Sequence, residues 1–322
     1  LVHREQTEEA LSIAERLRKE YPDNDYILFH YANVLAACNR KQEAYELWLV
    51  CVEKHPDHYT AKRNIARYLM ETGDYYHVRE YVLDLLDIVN SNEELEEMLH
   101  KANQEMIPVY EEEMRTGAVD ERFPKGELIF KLGWCLFQEK RVQEAADLFD
   151  GYTPDSEWEY DYCYLYGRLL NQLERYEESL PVLERCVEIV EHLEDDGSAE
   201  IRKRFSRKYI VKNLIGLNYH KLGDEEKAEQ VYRDNIAEIT GSKEKVETLY
   251  NFSRIMLAAK RYEKAVDICD SLLKLNNQFY PAYLTRQEAY FNLRRAQEVI
   301  NDYHNAVGIF AGFHQPYKYA ME

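Results

Sequence analysis

The sequence predicts an all-α fold, an α-α superhelix made of antiparallel helix pairs. Equivalent residues recur at one interval, since Ala10 and Ala44 are 34 positions apart and so are Pro22 and Pro56. The 322 residues include only 12 Gly and 8 Pro, and alternating runs of Val, Ile and Thr are missing from the sequence. Few helix breakers and no strand pattern favour helices throughout.

The interval continues over most of the chain. Gly133 and Gly167 are 34 positions apart, as are Ser253 and Gln287, whereas Gly216 and Ser253 are 37 apart. Repeats lengthen one core along an axis instead of thickening it. A chain of 322 residues therefore need not divide into separate globular domains.

Residues 25–58 illustrate how one repeat is built. Apolar residues recur at helical spacing, first at Leu28, Tyr31, Ala32 and Leu35 and then at Ala44, Trp48 and Cys51. Pro56 ends the second of these helices. Small side chains at Ala32 and Ala44 allow two antiparallel helices to approach closely. Neither helix can cover its own apolar face, so the next repeat must cover it.

This pattern resembles the tetratricopeptide repeat, whose first helix carries a Gly or other small residue and whose second helix carries an Ala. Seven full or partial copies are visible, and the resemblance covers roughly residues 5–91 and 126–313. Besides residues 25–58, copies are marked by Ala66 and Val78, Gly133 and Ala145, Gly167 and Ser179, Gly216 and Ala228, Ser253 and Ala265, and Tyr283 and Val299. Departures occur at Gln287, which replaces the small residue, and at Lys62 and Lys212, which replace a large apolar one. We expect less regular packing there.

Two segments interrupt the repeats. The predicted order is truncated and complete repeats over 1–92, an inserted helix and loop over 93–125, two repeats over 126–193, a charged linker over 194–208, three repeats over 209–313 and a tail over 314–322. One apolar face predicts a single helix over 93–115, kinked at Pro108, which serves as a spacer or alternatively as a partner surface. The basic run of Arg202, Lys203, Arg204, Arg207 and Lys208 belongs to a solvated linker, or alternatively contacts an acidic partner, phosphate or a membrane surface.

Composition restricts the function. Lys and Arg total 41 against 60 Asp and Glu, a net charge of −19, which argues against nucleic acid as the main ligand. The six cysteines form no CxxC pair, which favours free thiols and a cytoplasmic location. No signal peptide and no apolar run of membrane-spanning length are present in the sequence. Because the sequence begins with Leu1, we expect it to be part of a longer chain.

No catalytic motif stands out. A phosphate-binding Gly-rich loop, a GxSxG elbow and an HExxH helix are missing from the sequence. His55 and His58 with Asp57 are candidate metal ligands, but they lie at a repeat boundary where such residues are common in turns. We therefore expect no enzymatic activity, no cofactor and no metal.

The resemblance implies a concave groove lined by the first helices of successive repeats, which takes an extended peptide or a partner helix. The corresponding positions here are Phe29, Asn33, Phe130, Trp134, Tyr164, Arg168, Asn213, Tyr250 and Arg254. Aromatic, Asn and Arg side chains suit a peptide through stacking and hydrogen bonds. The alternative is that the aromatic rings only cover neighbouring helices.

Some proteins of this family bind acidic chaperone tails through a clamp of Lys and Asn residues. Asn33 and Asn64 fall at compatible positions, but Phe29 and Tyr164 stand where the first Lys is expected. A complete clamp is therefore absent, which weakens a co-chaperone role of that form.

The leading hypothesis is a non-enzymatic scaffold or adaptor that binds a protein or peptide, with no nucleic acid bound through this segment. The alternative is a regulatory or substrate-delivery module of a larger protein with a J-type chaperone, DNA-binding or enzymatic domain outside this sequence. Intrinsic catalysis, the third hypothesis, needs polar groups that converge in the groove.

Overall fold

The computed structural model describes residues 2–89, 91–116, 125–155 and 158–309, and within these ranges the secondary structure consists of sixteen α-helices without strands. The all-α prediction is confirmed. Two compact units are distinguished, Leu1–Arg141 and Val142–Glu322. The loop at 117–124, which belongs to the predicted insertion, and the predicted tail at 314–322 lie outside the described residues.

Seven helices form the first unit. They are α1 (Val2–Glu20), α2 (Asp25–Ala37), α3 (Lys41–Lys54), α4 (Tyr59–Thr72), α5 (Tyr75–Ile88), α6 (Glu93–Thr116) and α7 (Lys125–Gln138). Each packs on the helix that precedes it, and short turns make the pairs α2–α3 and α4–α5 antiparallel.

Nine helices form the second unit. They are α8 (Val142–Phe149), α9 (Glu159–Gln172), α10 (Tyr176–Glu191), α11 (Ala199–Lys221), α12 (Glu225–Glu238), α13 (Ser242–Ala258), α14 (Tyr262–Leu275), α15 (Tyr280–Asn292) and α16 (Ala296–Ile309). Here the pairs are α9–α10, α11–α12, α13–α14 and α15–α16.

The same backbone turn joins the two helices of each of these six pairs. Its central residue has a positive φ, at Asn39, Gly73, Glu174, Gly223, Lys260 and Arg294. The next residue donates its N–H to the carbonyl five positions earlier, as Arg40 does to Leu35 and Arg261 to Met256, at 2.9 and 2.8 Å. This is the Schellman motif, which satisfies carbonyls at the end of the first helix and reverses the chain.

Small residues bring paired helices together, as predicted for Gly167 and Gly216. A Cβ atom at Gly167 would lie 2.8 Å from Leu183 Cγ, and one at Gly216 would lie 2.5 Å from Tyr232 Cε2. Both distances are below any normal carbon–carbon contact, so only Gly fits at these two positions. The equivalent expectation for Gly133 stays a prediction.

The three departures from the repeat are accommodated by polar contacts. Lys62 is buried and its Nζ lies 2.9 Å from Asp84 Oδ2. Lys212 Nζ lies 2.7 Å from Glu238 Oε1. Gln287 is buried, and its Nε2 donates to the carbonyl of Val299 at 3.1 Å. Each long side chain thus packs within its helix pair and directs its polar end to a partner.

The inserted helix α6 is continuous through Pro108 and lies against α5 and α7. Its buried face includes Leu95, Met98, Leu99, Ala102, Ile107 and Tyr110. Asn103 is also buried: Arg79 Nε donates to its Oδ1 at 2.7 Å, and its Nδ2 donates to Glu139 Oε1 at 3.0 Å. The helix is therefore packed into the first unit like the repeat helices around it.

The predicted linker over 194–208 is wrong in its second part, because α11 begins at Ala199. Ser198 Oγ accepts the N–H of Ile201 at 3.2 Å and caps the helix. No Gly or Pro interrupts the chain from there until Gly216, so the helix continues through the basic run. Residues 199–208 thus add almost three turns to the N-terminus of the first helix of a repeat.

Candidate functional site

A polar cavity of about 270 Å³ opens between the helices α2, α3 and α4 of the first unit. Its lining residues are Asn33, Ala36, Lys41, Trp48, Asn64, Arg67, Tyr68 and Glu71. Asn33 Oδ1 accepts two hydrogen bonds, from Trp48 Nε1 and from Asn64 Nδ2, each at 3.0 Å. Trp48, a core residue of the second helix, thereby fixes the orientation of a predicted groove residue.

This arrangement leaves both amides with unused hydrogen-bonding groups. Within the described ranges, Asn33 Nδ2 donates to no protein atom and Asn64 Oδ1 accepts from none. A carboxamide can donate two hydrogen bonds and accept two. The cavity therefore contains donors and an acceptor on neighbouring first helices, which are the groups that a peptide main chain requires.

The charged groups at the cavity rim are paired with each other. Lys41 Nζ lies 2.6 Å from Glu71 Oε2, and Arg67 Nε bonds to Glu94. Ion pairs of this exposed kind contribute little to stability. They do balance the charges of Lys41 and Arg67 at the rim.

Phe29 lies beside this cavity but acts in packing. Its ring centroid is 4.5 Å from that of His58, and His58 Nδ1 accepts the N–H of Ala61 at 3.3 Å to cap α4. His55 Nε2 lies 3.0 Å from Asp25 Oδ2. These two histidines therefore have structural partners, and within the described ranges no three His, Cys, Asp or Glu residues are arranged to hold a metal ion.

An aromatic row follows one face of α7. The ring centroids of Phe130 and Trp134 are 6.0 Å apart, and those of Trp134 and Phe137 are 5.7 Å apart. All three side chains are half-buried. Phe130 and Trp134 are neighbours because residues four apart on a helix lie on one face; that this face binds a partner stays a prediction.

In the second unit, Tyr164 and Arg168 also pair along one helix. Arg168 Nη1 donates to Tyr164 Oη at 3.1 Å, and Arg168 Cζ lies 5.2 Å from the ring centroid. Tyr164 itself is only 4% exposed. A partner at this position could therefore contact Arg168 but not the buried ring of Tyr164.

Asn213 is also internal. It is 7% exposed, its Nδ2 donates to Thr248 Oγ1 at 3.2 Å, and its Oδ1 accepts from Asn235 Nδ2 at 3.0 Å. Asn213 therefore ties α11 to α12 and α13 instead of facing a groove. Asn235 and Thr248 are the neighbours that the repeat pattern does not reveal.

Tyr250 and Arg254 remain accessible on α13. Tyr250 is half-buried against Phe279, with ring centroids 5.2 Å apart, and Arg254 is exposed with its Cζ 5.9 Å from the Tyr250 ring centroid. The pair presents an aromatic edge and a cation to solvent.

The buried thiols are not activated. Burial raises the pKa of Cys135 to about 11 and that of Cys163 and of Cys269 to about 12. These cysteines are protonated at neutral pH and behave as small apolar side chains, since the thiolate is the reactive form.

None of the described helices is both long and apolar enough to cross a membrane.

Comparison with known proteins supports the repeat. A tetratricopeptide-repeat family model matches residues 160–189, within α9 and α10, and residues 211–234, within α11 and α12. No curated protein sequence matches the chain.

Solved structures similar to the chain include three that are described as tetratricopeptide-repeat proteins or domains. The tetratricopeptide-repeat domain of P58(IPK) has 18% identity over 98% of this chain and 92% of that chain, with a TM-score of 0.31. YrrB, described as a tetratricopeptide-repeat protein with an unusual peptide-binding site, has 12% identity over 63% of this chain and 95% of that one, with a TM-score of 0.44. A tetratricopeptide-repeat protein from Parabacteroides merdae has 10% identity over 92% of this chain and 97% of that chain, with a TM-score of 0.43.

The repeated helix pairs and the two matched segments agree with each other. Tetratricopeptide repeats are protein-interaction modules, which are generally without catalytic activity. Two segments of this helical-repeat chain, residues 160–189 and 211–234, are thus similar to tetratricopeptide repeats.

Proposed function

We propose that this protein is a non-enzymatic scaffold that binds an extended peptide, and that the cavity between α2, α3 and α4 holds the peptide main chain. The observation that carries the proposal is the Asn33–Asn64 pair, whose internal hydrogen bond at 3.0 Å leaves an amide donor and an amide acceptor unused. Main-chain groups of an extended peptide are complementary to both.

Two features support a main-chain site over a site for an acidic terminus. Lys41 and Arg67 are already paired with Glu71 and Glu94. An incoming carboxylate would have to displace one of these acids or lie close to it, which is unfavourable. A neutral peptide group meets no such repulsion.

Side-chain contacts come from other predicted positions. Within the unit that contains the cavity, Phe130 and Trp134 offer a half-buried aromatic row. In the other unit, Tyr250 and the exposed Arg254 offer a ring and a cation for a separate contact. Trp, Tyr and Arg are the residues that most often dominate binding energy at interfaces. Tyr164 and Asn213 are left out of this proposed surface because both are buried, and Phe29 takes part only through its exposed edge.

The binding experiment starts from peptides selected on the intact 322-residue chain from a phage-displayed library of random linear peptides. The substitution Asn33→Asp keeps the Oδ acceptor for Trp48 and Asn64 but removes the N–H donors. We expect the affinity of the selected peptides to fall at least tenfold, about 1.4 kcal/mol, as measured by fluorescence anisotropy.

The control is Asn301→Asp. Asn301 is exposed on α16 and accepts from Gln297 at 3.2 Å, so this change introduces the same charge and likewise keeps an acceptor. Equal binding by Asn33→Asp and the unchanged chain would exclude the cavity as the peptide site. N-methylation of the peptide, residue by residue, identifies the main-chain groups in contact.

The alternative, a regulatory or substrate-delivery module of a larger protein, uses the same peptide-binding surface. A J-type, DNA-binding or enzymatic domain in the full gene, together with capture of that domain's substrate by this segment, would favour it.

A further inference from the structure

The N-terminal part of α11 carries basic residues that the repeat does not require. The second segment that matches the tetratricopeptide-repeat family model begins at residue 211, whereas α11 begins at Ala199. The extra turns place Arg204 and Arg207 next to α9, the first helix of the preceding repeat. A segment expected to be a solvated linker thus lies against another helix.

The two arginines lie over a pair of buried tyrosines. Arg204 Cζ is 4.7 Å from the ring centroid of Tyr160, and Arg207 Cζ is 5.0 Å from that of Tyr164. The two tyrosine rings are stacked with centroids 6.0 Å apart. Arg168 adds a third guanidinium, with its Cζ 5.2 Å from the Tyr164 centroid. Three cations are therefore gathered above two neutral rings.

Local carboxylates do not neutralise this group completely. Arg204 Nη2 lies 3.4 Å from Asp161 Oδ2. Arg207, by contrast, is half-buried and forms no ion pair with any residue in the described ranges. The adjacent Lys208 differs, because its Nζ lies 2.9 Å from Glu191 and 3.1 Å from Glu238.

Stacking leaves the hydrogen-bonding edge of a guanidinium available. A guanidinium has five N–H donors in its own plane, so a ring against its face blocks none of them. The planar donors match a carboxylate in a bidentate manner. The buried rings below also exclude water, which strengthens charge-assisted hydrogen bonds made above them.

We propose that Arg168, Arg204 and Arg207, supported by Tyr160 and Tyr164, form a second binding site for an acidic peptide segment rich in Glu or Asp. Charge complementarity selects this occupant, since the excess of acid elsewhere on the chain repels a long polyanion such as RNA. A short acidic peptide needs only these few cations. The site is separate from the cavity that contains Asn33.

The probe is a fluorescein-labelled decapeptide with four Glu residues spaced by Gly and Ser, compared with the same peptide in which Gln replaces every Glu. Anisotropy titrations with the full chain should show binding of the Glu peptide and at least tenfold weaker binding of the Gln peptide. Raising the salt concentration should weaken the Glu complex.

Arg207→Gln should weaken binding of the Glu peptide at least fivefold, and Arg207→Lys, which keeps the charge but loses the bidentate edge, should have an intermediate effect. Lys208→Gln is the matched control, because the neighbouring cation is already paired; it should leave the affinity within twofold. If Arg207→Gln loses helicity by circular dichroism, the conservative Arg207→Lys decides the test. Asn33→Asp should leave the Glu peptide unaffected, so failure of this site and failure of the cavity are distinguishable.

Four results would overturn the proposal. The first is equal binding of the Glu and Gln peptides, and the second is an unchanged affinity in Arg207→Gln. The third is preference for another anion, seen as tighter binding of a phosphoserine version of the peptide or of a single-stranded RNA probe. Binding that is lost equally in Lys208→Gln and Arg207→Gln would also contradict it, because it would indicate general attraction to a basic surface.

Discussion

Replacement of Gly167 by Leu tests the closest helix approach in the second unit. A Cβ atom at Gly167 would already lie 2.8 Å from Leu183 Cγ and 3.5 Å from Val182 Cγ1. Leu183 has 0% exposure, so it cannot turn outward to make room. Leu is favoured over Gly in a helix by about 0.8 kcal/mol, but overpacking costs about 1–3 kcal/mol.

Because a whole Leu side chain lacks space, we take the upper end of that range and expect a net loss of about 2 kcal/mol in the free energy of unfolding. For a unit of this size the melting temperature should fall by about 4–8 °C. Thermal unfolding followed by far-UV circular dichroism measures this change. The matched control is Gly308→Leu on α16, where no atom lies within 4 Å of the added Cβ.

A double-mutant cycle separates the contact from a general effect. Leu183→Ala alone should destabilise through the cavity that it creates, by about 2–5 kcal/mol. Combined with Gly167→Leu, the new side chain fills that cavity, so the double mutant should be more stable than the sum of the two changes predicts, by about 1–3 kcal/mol. Additive effects, or equal melting of Gly167→Leu and Gly308→Leu, would refute the proposed packing.

Two further predictions concern the surface. The Lys264 ammonium beside Glu229 lowers the pKa of this carboxyl from its ordinary 4.5, so the stabilisation by the charged carboxylate is complete above about that pH and is lost as the pH falls through the lowered value. Glu229→Gln should therefore lower the free energy of unfolding by about 1 kcal/mol at neutral pH, and urea titrations should show this difference shrink as the pH falls below the ordinary pKa. Trp134→Ala, in the same unit as the cavity, should weaken a peptide that binds the cavity at least tenfold, about 1.4 kcal/mol. Charge reversal on the exposed face of α6 should change the affinity measured by anisotropy little, and the opposite ranking would make α6 the binding surface.

The extent of α6 was predictable because one apolar face continues from Leu95 to Tyr110, and an unbroken apolar face indicates one long helix instead of a helix pair. The start of α11 was not predicted. Its first ten residues carry almost no apolar face, so periodicity gives no signal, and the helix there depends on the Ser198 cap and on contacts with α9. A cap followed by ten residues without Gly or Pro was the available clue.

The candidate site likewise contains features that the sequence predicts and features that it does not. Repeat spacing placed Asn33, one position after the small residue, and Asn213, three positions before it, on the predicted groove face of their first helices. Asn33 does line a cavity, but Asn213 is buried between Asn235 and Thr248. Which of these occurs depends on residues from adjacent helices. The spacing within one repeat contains no information about those neighbours, so only the structure shows whether a given side chain is exposed.

The turn within each helix pair has a consequence for how such a chain can change. Four of its six left-handed positions hold residues other than Gly, namely Asn39, Glu174, Lys260 and Arg294. Since the backbone hydrogen bonds set the turn, the side chain at that position is free to vary, at a cost of about 1–2 kcal/mol for a non-Gly residue. A copy of the repeat can therefore acquire new surface residues at its joint while the angle between its helices is kept. Each copy is then an independent starting point for recognition of a different partner.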